Sequence, residues 1–277
     1  VLDRKRRSPE KSYWNHIINL AVGPIRFLGI GPFARELTLA NAFKHATKKT
    51  GLTDFGDTSF TEVYSAVTDS ELQINQKYTN LGFISARIEL NQTFVRRLKF
   101  IQYLKDVPRV LNVAVPEPTF VMGLPRTGTT LLHRLLSLDP YVRAPLLWEL
   151  LSPVPHSTVT GEATEGGSSD PVAAAQAAFD ADRDKRAKFI KRLMNTRKEM
   201  GDRSLAHIHE VEWDLPEECF LTLSDEIPSL SQYFYSTYMR SDEVEPMIRQ
   251  QMAHAYKHHR KYLQLLSYQC GEGLDAG

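Results

Sequence analysis

The stretch from Thr119 to Leu138 constrains what this chain can fold into more than any other. Thr119-Phe120-Val121-Met122 is a short apolar and β-branched run preceded by Pro116 and Pro118, which predicts a buried strand. The loop Gly123-Leu124-Pro125-Arg126-Thr127-Gly128-Thr129-Thr130 follows at once. Leu131, Leu132, Leu135, Leu136 and Leu138 then predict a helix with a strongly apolar face, ending near Asp139-Pro140. A helix start leaves backbone N–H groups without intrahelical partners, and the helix dipole adds partial positive charge there. A strand, a glycine loop and a helix in succession therefore make a cradle for a phosphate or sulfate group.

The spacing from Gly123 to Gly128 also matches the nucleotide-triphosphate loop GxxxxGK[ST], but the departure from it is informative. Thr129 stands where that loop has the lysine that reaches the β and γ phosphates, and the cation Arg126 lies three positions earlier. A donor bearing only a 5′-phosphosulfate has no γ-phosphate to hold, and a cation beside its bridging oxygen suits it better.

Pro125-Arg126-Thr127-Gly128-Thr129-Thr130, with Phe120-Val121-Met122-Gly123 before it and Leu131-Leu132-His133-Arg134-Leu135-Leu136 after it, resembles the phosphosulfate loop of the nucleotide-dependent sulfotransferases. The resemblance continues less sharply over Arg143–Glu149 and His209–Glu218, about half of the chain in all. It implies an α/β fold: a P-loop NTPase-like parallel sheet flanked by helices, here helix-rich and extended by helices at the N-terminus. It further implies that 3′-phosphoadenosine 5′-phosphosulfate is the donor co-substrate and that no metal is required. The sulfuryl group would pass in line to an acceptor hydroxyl or amine on a small molecule, carbohydrate, lipid or peptide. Arg126 would stabilise charge on the leaving oxygen, while Pro125, Arg126, Thr127, Gly128, Thr129 and Thr130 would hold the donor.

In sulfotransferases resembling this chain a glutamate lies a little beyond the loop, and Glu149 occupies that place within the otherwise apolar run Pro145–Leu151. Glu149 is the expected base, because transfer to a hydroxyl needs a group to take its proton and partial burial raises a carboxyl's proton affinity. The segment around His209 and Glu218 resembles the family's acceptor-side element, which makes these two residues the acceptor-side candidates. Metal ligation by the cluster His207, His209, Glu210, Glu212, Glu217 and Glu218 is not expected: its histidines stand two apart, off a common helix face, and no HExxH is present.

Two divisions are expected, a helical region over 1–118 and the loop-bearing domain over 119–277. Helices are predicted over Glu36–Lys49, Thr61–Val67 and Ser85–Lys105, the last ending before Pro108, and a further helix begins at Pro171 with Asp170 as its cap. Another is expected after Ser241, with Ile248, Met252, Tyr256, His259, Leu263 and Leu266 on one face. Ser152–Asp170 reads as a mobile loop. After Glu218 no strand leads to an arginine and a matching serine that would hold the donor's 3′-phosphate, so the sheet and donor site are expected to be incomplete. The first residue, Val1 rather than methionine, leads us to expect a processed or incomplete chain. The alternative is a catalytically impaired fragment or a divergent P-loop protein that binds another nucleotide, kinase-like or serving interactions.

Charge adds one constraint. Lysine and arginine number 34 against 33 acidic residues, so no overall field attracts nucleic acid or an anionic membrane, and any anion site is local. The apolar run Ile17–Ile30 is too short for a bilayer span and is broken by Gly23, Pro24, Arg26 and Gly29. A cytoplasmic location is expected on that basis, with Arg4-Lys5-Arg6-Arg7 as a solvated terminus. Cys219 and Cys270 show neither disulfide nor metal spacing.

Overall fold

A long helix, α3 (Asn80–Asp106), is the spine shared by both buried hydrophobic clusters. The computed structural model describes residues 13–31, 37–66, 79–115, 117–124, 127–156, 171–199, 211–227 and 244–270. Thr79 caps α3, its hydroxyl accepting the Gly82 N–H at 3.1 Å. The helix stops where Pro108 begins a 3₁₀ turn, Pro108–Asn112, because the residue before a proline is pushed out of the helical region. Before the spine come α1 (Tyr13–Phe27) and α2 (Leu39–Thr50), and residues 61–66 are also helical. Thr38 caps α2 through a 3.3 Å bond from Asn41 N–H. The expected helices are therefore present, α3 longer than predicted and α2 displaced toward its C-terminus. The expected Ser152–Asp170 loop lies outside the described residues from 157 onward, as do Arg4–Arg7, Asp170 and Ser241.

The two ends of α3 bury different clusters. Leu90, Phe94, Val95 and Leu98 pack with Leu39, Ala42 and Ala46 of α2 and with Phe60 and Tyr64. The aromatic rings interlock there, Phe94 lying edge-on to Phe43 at 4.8 Å between centroids. Farther along, Phe100, Tyr103, Leu104 and Val107 share a second cluster with Phe179 of α6 (Pro171–Glu199) and with Tyr262, Leu265 and Tyr268 of α8 (Val244–Tyr268). Phe100 stacks on Tyr262 at 4.0 Å. This second cluster crosses residue 118.

A buried ionic lattice crosses it as well. After the short helix α7 (Phe220–Leu223), Asp225 and Glu226 point their carboxylates between α3 and α8. Arg96 donates to Asp225 Oδ1 through Nε at 3.1 Å, and Tyr262 donates its hydroxyl to Asp225 Oδ2. Arg97, fully buried, donates to Glu226 Oε1 at 2.7 Å, Phe55 O at 2.7 Å and Asp225 O at 2.8 Å, and its guanidinium lies 3.9 Å from the Phe60 ring centroid. From α8, Gln251 donates to Glu226 Oε2 at 2.9 Å and His258 Nδ1 lies 3.2 Å from Glu226 Oε1. Burial alone would push the Asp225 carboxyl up, but the Arg96 charge and His258 outweigh it and hold it well below the usual carboxylate range.

One expectation is corrected. The run Thr119–Met122 is not a buried strand: it carries no strand assignment, and Phe120 and Met122 are 59% and 85% exposed. Among the described residues there is no strand to pair with it, and a run becomes a strand only when a neighbour takes up its backbone groups. The expected parallel sheet is thus absent from the described residues, which are helical apart from turns, loops and an isolated bridge.

Candidate active site

The loop enters α4 (Thr129–Leu136) through Gly128, whose φ of 90° is the left-handed conformation that a side chain would strain. The first helical bond described runs from Leu132 N–H to Gly128 O at 3.0 Å. No side chain caps this N-terminus. The leading amides of α4 are therefore left by their own helix to face an anion, with the dipole behind them. Gly123 closes the other side: a Cβ there would stand 2.7 Å from Thr127 Oγ1 and 2.8 Å from Thr129 Cγ2. The backbone at Gly123 thus lies directly under two threonines, and only a hydrogen fits between.

Thr127 donates its hydroxyl to Leu124 O at 2.7 Å, closing the turn on itself. Its hydroxyl hydrogen is committed to shaping the loop, whereas Thr129 and Thr130 sit half-buried at the helix start. Pro125 and Arg126 lie outside the described residues.

Glu149 lies on α5 (Leu147–Leu151), and it is buried rather than displayed on a helix turn. Its Oε2 accepts the Leu146 N–H at 2.9 Å, so it caps its own helix from the third position. Its Oε1 accepts from Arg143 at 2.7 Å. Arg143 is the partner that sequence reasoning did not pair with Glu149: the two are six apart, a separation that no helical or strand spacing brings together, and the turn through Pro145 makes the contact. Beneath α5, the buried Arg186 of α6 faces the Trp148 ring at 5.2 Å and donates to Asp182 Oδ2, Ser152 O and Pro153 O at 2.6, 2.6 and 3.0 Å.

The segment bearing Glu149 is joined to the segment bearing Glu218. Leu147 N–H donates to Leu215 O and Trp148 N–H to Trp213 O, each at 3.0 Å, and Glu217 N–H donates to Pro145 O at 3.1 Å, around an antiparallel bridge between Leu146 and Pro216. Glu218 is exposed, and its N–H donates to Glu217 Oε1 at 2.9 Å. His207 and His209 lie outside the described residues. Next to this junction Cys219 is pushed up to about 11 by burial and then by the Glu218 charge, which leaves a protonated thiol of little nucleophilicity. His259, expected as an ordinary helix residue, is buried against Thr222 Oγ1 at 2.8 Å, and burial and then His258 lower it to about 4.

The sulfotransferase family model matches residues 118–266, more than half of the chain and all of the segments just described. The chain belongs to the sulfotransferase family. Two solved structures are similar to it: sulfotransferase STF1 from Mycobacterium tuberculosis H37Rv and sulfotransferase STF9 from Mycobacterium avium, each at 26% identity with a TM-score of 0.58. The first match covers 85% of this chain and 59% of that structure's chain, the second 83% and 54%. The chain thus spans little more than half the length of either sulfotransferase. Their likeness supports the α/β class. No curated protein sequence matches the chain.

Proposed function

We propose that this chain binds 3′-phosphoadenosine 5′-phosphosulfate through Gly123–Thr130 and serves transfer of its sulfuryl group to an acceptor hydroxyl or amine. The observation that carries the reading is the uncapped start of α4 behind a left-handed Gly128, with Gly123 packed beneath Thr127 and Thr129. Family membership and the two sulfotransferase neighbours support it.

The loop amides with the Thr129 and Thr130 hydroxyls hold the 5′-phosphate, and Arg126 neutralises charge on the bridging oxygen as the sulfur–oxygen bond breaks. The acceptor oxygen attacks sulfur from the opposite side and gives its proton to Glu149, leaving the 3′,5′-bisphosphate and the sulfated acceptor. Arg143 and the Leu146 N–H orient the Glu149 carboxylate while leaving each of its oxygens further acceptor capacity. His209 and Glu218 belong to the acceptor side, carried on the segment paired with that of Glu149. The helical division at residues 1–118 shares a core cluster with the loop-bearing division, and the protein acts in the cytoplasm.

Calorimetric titration with 3′-phosphoadenosine 5′-phosphate, with ATP and Mg²⁺ as comparison, tests the donor site. Preference for the 3′-phosphorylated nucleotide is expected, and equal response to both would replace the reading by that of a divergent nucleotide-binding P-loop protein. For the chemistry, Arg126→Ala is expected to slow transfer of labelled sulfate about 10²- to 10³-fold, and Glu149→Gln about 10²- to 10⁴-fold. Rates within a few-fold of the parent would remove both assignments.

The exposure of Phe120 and Met122 and of the α4 leucines favours a second reading, in which these 277 residues bind the nucleotide without turning it over. Donor binding with no sulfate transfer to any acceptor class distinguishes it from the first.

A further inference from the structure

Helix α6 buries one face, with Phe179, Asp182, Arg186 and Ile190, and turns a second outward. At 3.6 residues per turn, Lys188, Arg192, Lys185, Thr196, Phe189 and Leu193 follow one another around roughly 140° of its circumference. All six are exposed, and the apolar pair is open to solvent at 62% for Phe189 and 45% for Leu193. A single exposed apolar side chain is ordinary. Two placed four residues apart, side by side with three cations, are a patterned surface.

Glu199, seven residues beyond Arg192, returns to this arc by spacing, but between Lys185 and Thr196 no exposed carboxylate of the same helix does. Asp182 is buried against Arg186, Asp180 pairs with Arg183 at 3.2 Å, and Asp184 stands beside Lys188 at 3.8 Å on the flank. Lys188 and Arg192, with Lys191, Asn195 and Thr196, also line an open hollow of about 460 Å³ whose described walls hold no acid. A chain whose formal net charge is only +1 has here a local concentration of positive charge beside exposed carbon.

We infer that this outer face of α6 docks on an anionic lipid surface, Lys185, Lys188 and Arg192 meeting headgroup phosphates while Phe189 and Leu193 enter the acyl boundary. Charge complementarity selects an anionic partner, and the apolar pair selects lipid among anionic partners, because a nucleic acid or an acidic peptide offers no acyl layer for them. The contact is peripheral: among the described residues no helix is long and apolar enough to cross a membrane. The inference is independent of the donor site.

The test is flotation of the 277-residue chain with vesicles of phosphatidylcholine alone or with about one third phosphatidylserine, at physiological ionic strength. Binding to the anionic vesicles alone is expected. Lys185→Gln, Lys188→Gln and Arg192→Gln together are expected to weaken it roughly a hundredfold, at about fivefold for each cation. Phe189→Ser with Leu193→Ser is expected to weaken it roughly tenfold or more, while retention on a heparin column stays unchanged. All these residues are exposed, so an unchanged thermal transition confirms that each variant is folded. The series is repeated in a Leu131→Ser, Leu135→Ser background, which removes the leucines of α4 as an alternative contact.

Equal binding to neutral vesicles, or full binding by the triple glutamine variant, would overturn the proposal. Loss of vesicle binding on changing Leu131 and Leu135 alone would do so too. Unchanged vesicle binding by the serine pair would overturn the entry of Phe189 and Leu193 into the acyl boundary.

Discussion

Helices α3 and α4 both carry apolar residues at helical spacing, yet they meet opposite fates. On α3, Leu90, Phe94, Leu98 and Phe100 are buried, each worth about 1.5–3 kcal/mol when removed from water. On α4, Leu131, Leu132, Leu135 and Leu136 are exposed. The difference lies in what surrounds them. The α3 residues meet α2, α6 and α8, and Arg96 and Arg97 tie the same helix to Asp225 and Glu226. The face of α4 has no sheet among the described residues to lie on. A periodic apolar face establishes a helix and leaves open what covers it. The proposed anion site of α4 resides at its first amides and Gly128, so the feature carrying the proposed chemistry is separate from the face that lacks a cover.

Substitutions on the two helices should separate them. The largest loss is expected from Arg97→Ala, which leaves Glu226 buried without its cation and should cost about 3–5 kcal/mol in urea unfolding. A loss below about 1 kcal/mol would mean that the lattice does not hold α3 to α8. Acidification should weaken the same side of the molecule. His259 is lowered from the ordinary 6.5 to about 4, so the stability from burying it neutral is complete above pH 6.5. That stability is lost as pH falls through 4, by about 3 kcal/mol in all. His259→Gln should flatten stability across this window, while the depressed Asp225 adds a further loss below the ordinary carboxylate value near 3.9.

On the α4 side, effects on stability should shrink while effects on binding persist. Gly128→Ala places a side chain at a φ of 90° and should cost about 1–2 kcal/mol. Gly123→Ala should abolish calorimetric response to 3′-phosphoadenosine 5′-phosphate, because its Cβ would collide with Thr127 and Thr129. The smallest effect belongs to Leu131→Ser with Leu135→Ser, expected to leave unfolding within about 0.5 kcal/mol for each site. A large loss there would show that α4 is covered in solution and would dissolve the contrast.

Much of the candidate site was legible before any coordinates. Glycines spaced as Gly123 and Gly128 are, followed by leucines at helical spacing, announce a loop entering a helix, and both glycines prove to occupy positions where a side chain would strain or collide. Thr119–Met122 was misread because its composition suits a strand, whereas pairing depends on a neighbour that a local run does not contain. The pairing of Arg143 with Glu149 escaped because it depends on a turn, and the junction of Glu149 and Glu218 because their segments are distant in sequence and meet by backbone bonds that no side chain encodes.

The sequence by itself determined helices α2, α3, α4, α6 and α8 and the family, since these depend on spacing, capping and residue identity over short stretches. Only the tertiary structure decided that Glu149 is buried under Arg143, that Asp225 and Glu226 hold two helices together, and that α4 and α6 keep apolar residues in solvent. Burial and ion pairing are properties of neighbours, and a chain acquires its neighbours only when distant segments pack.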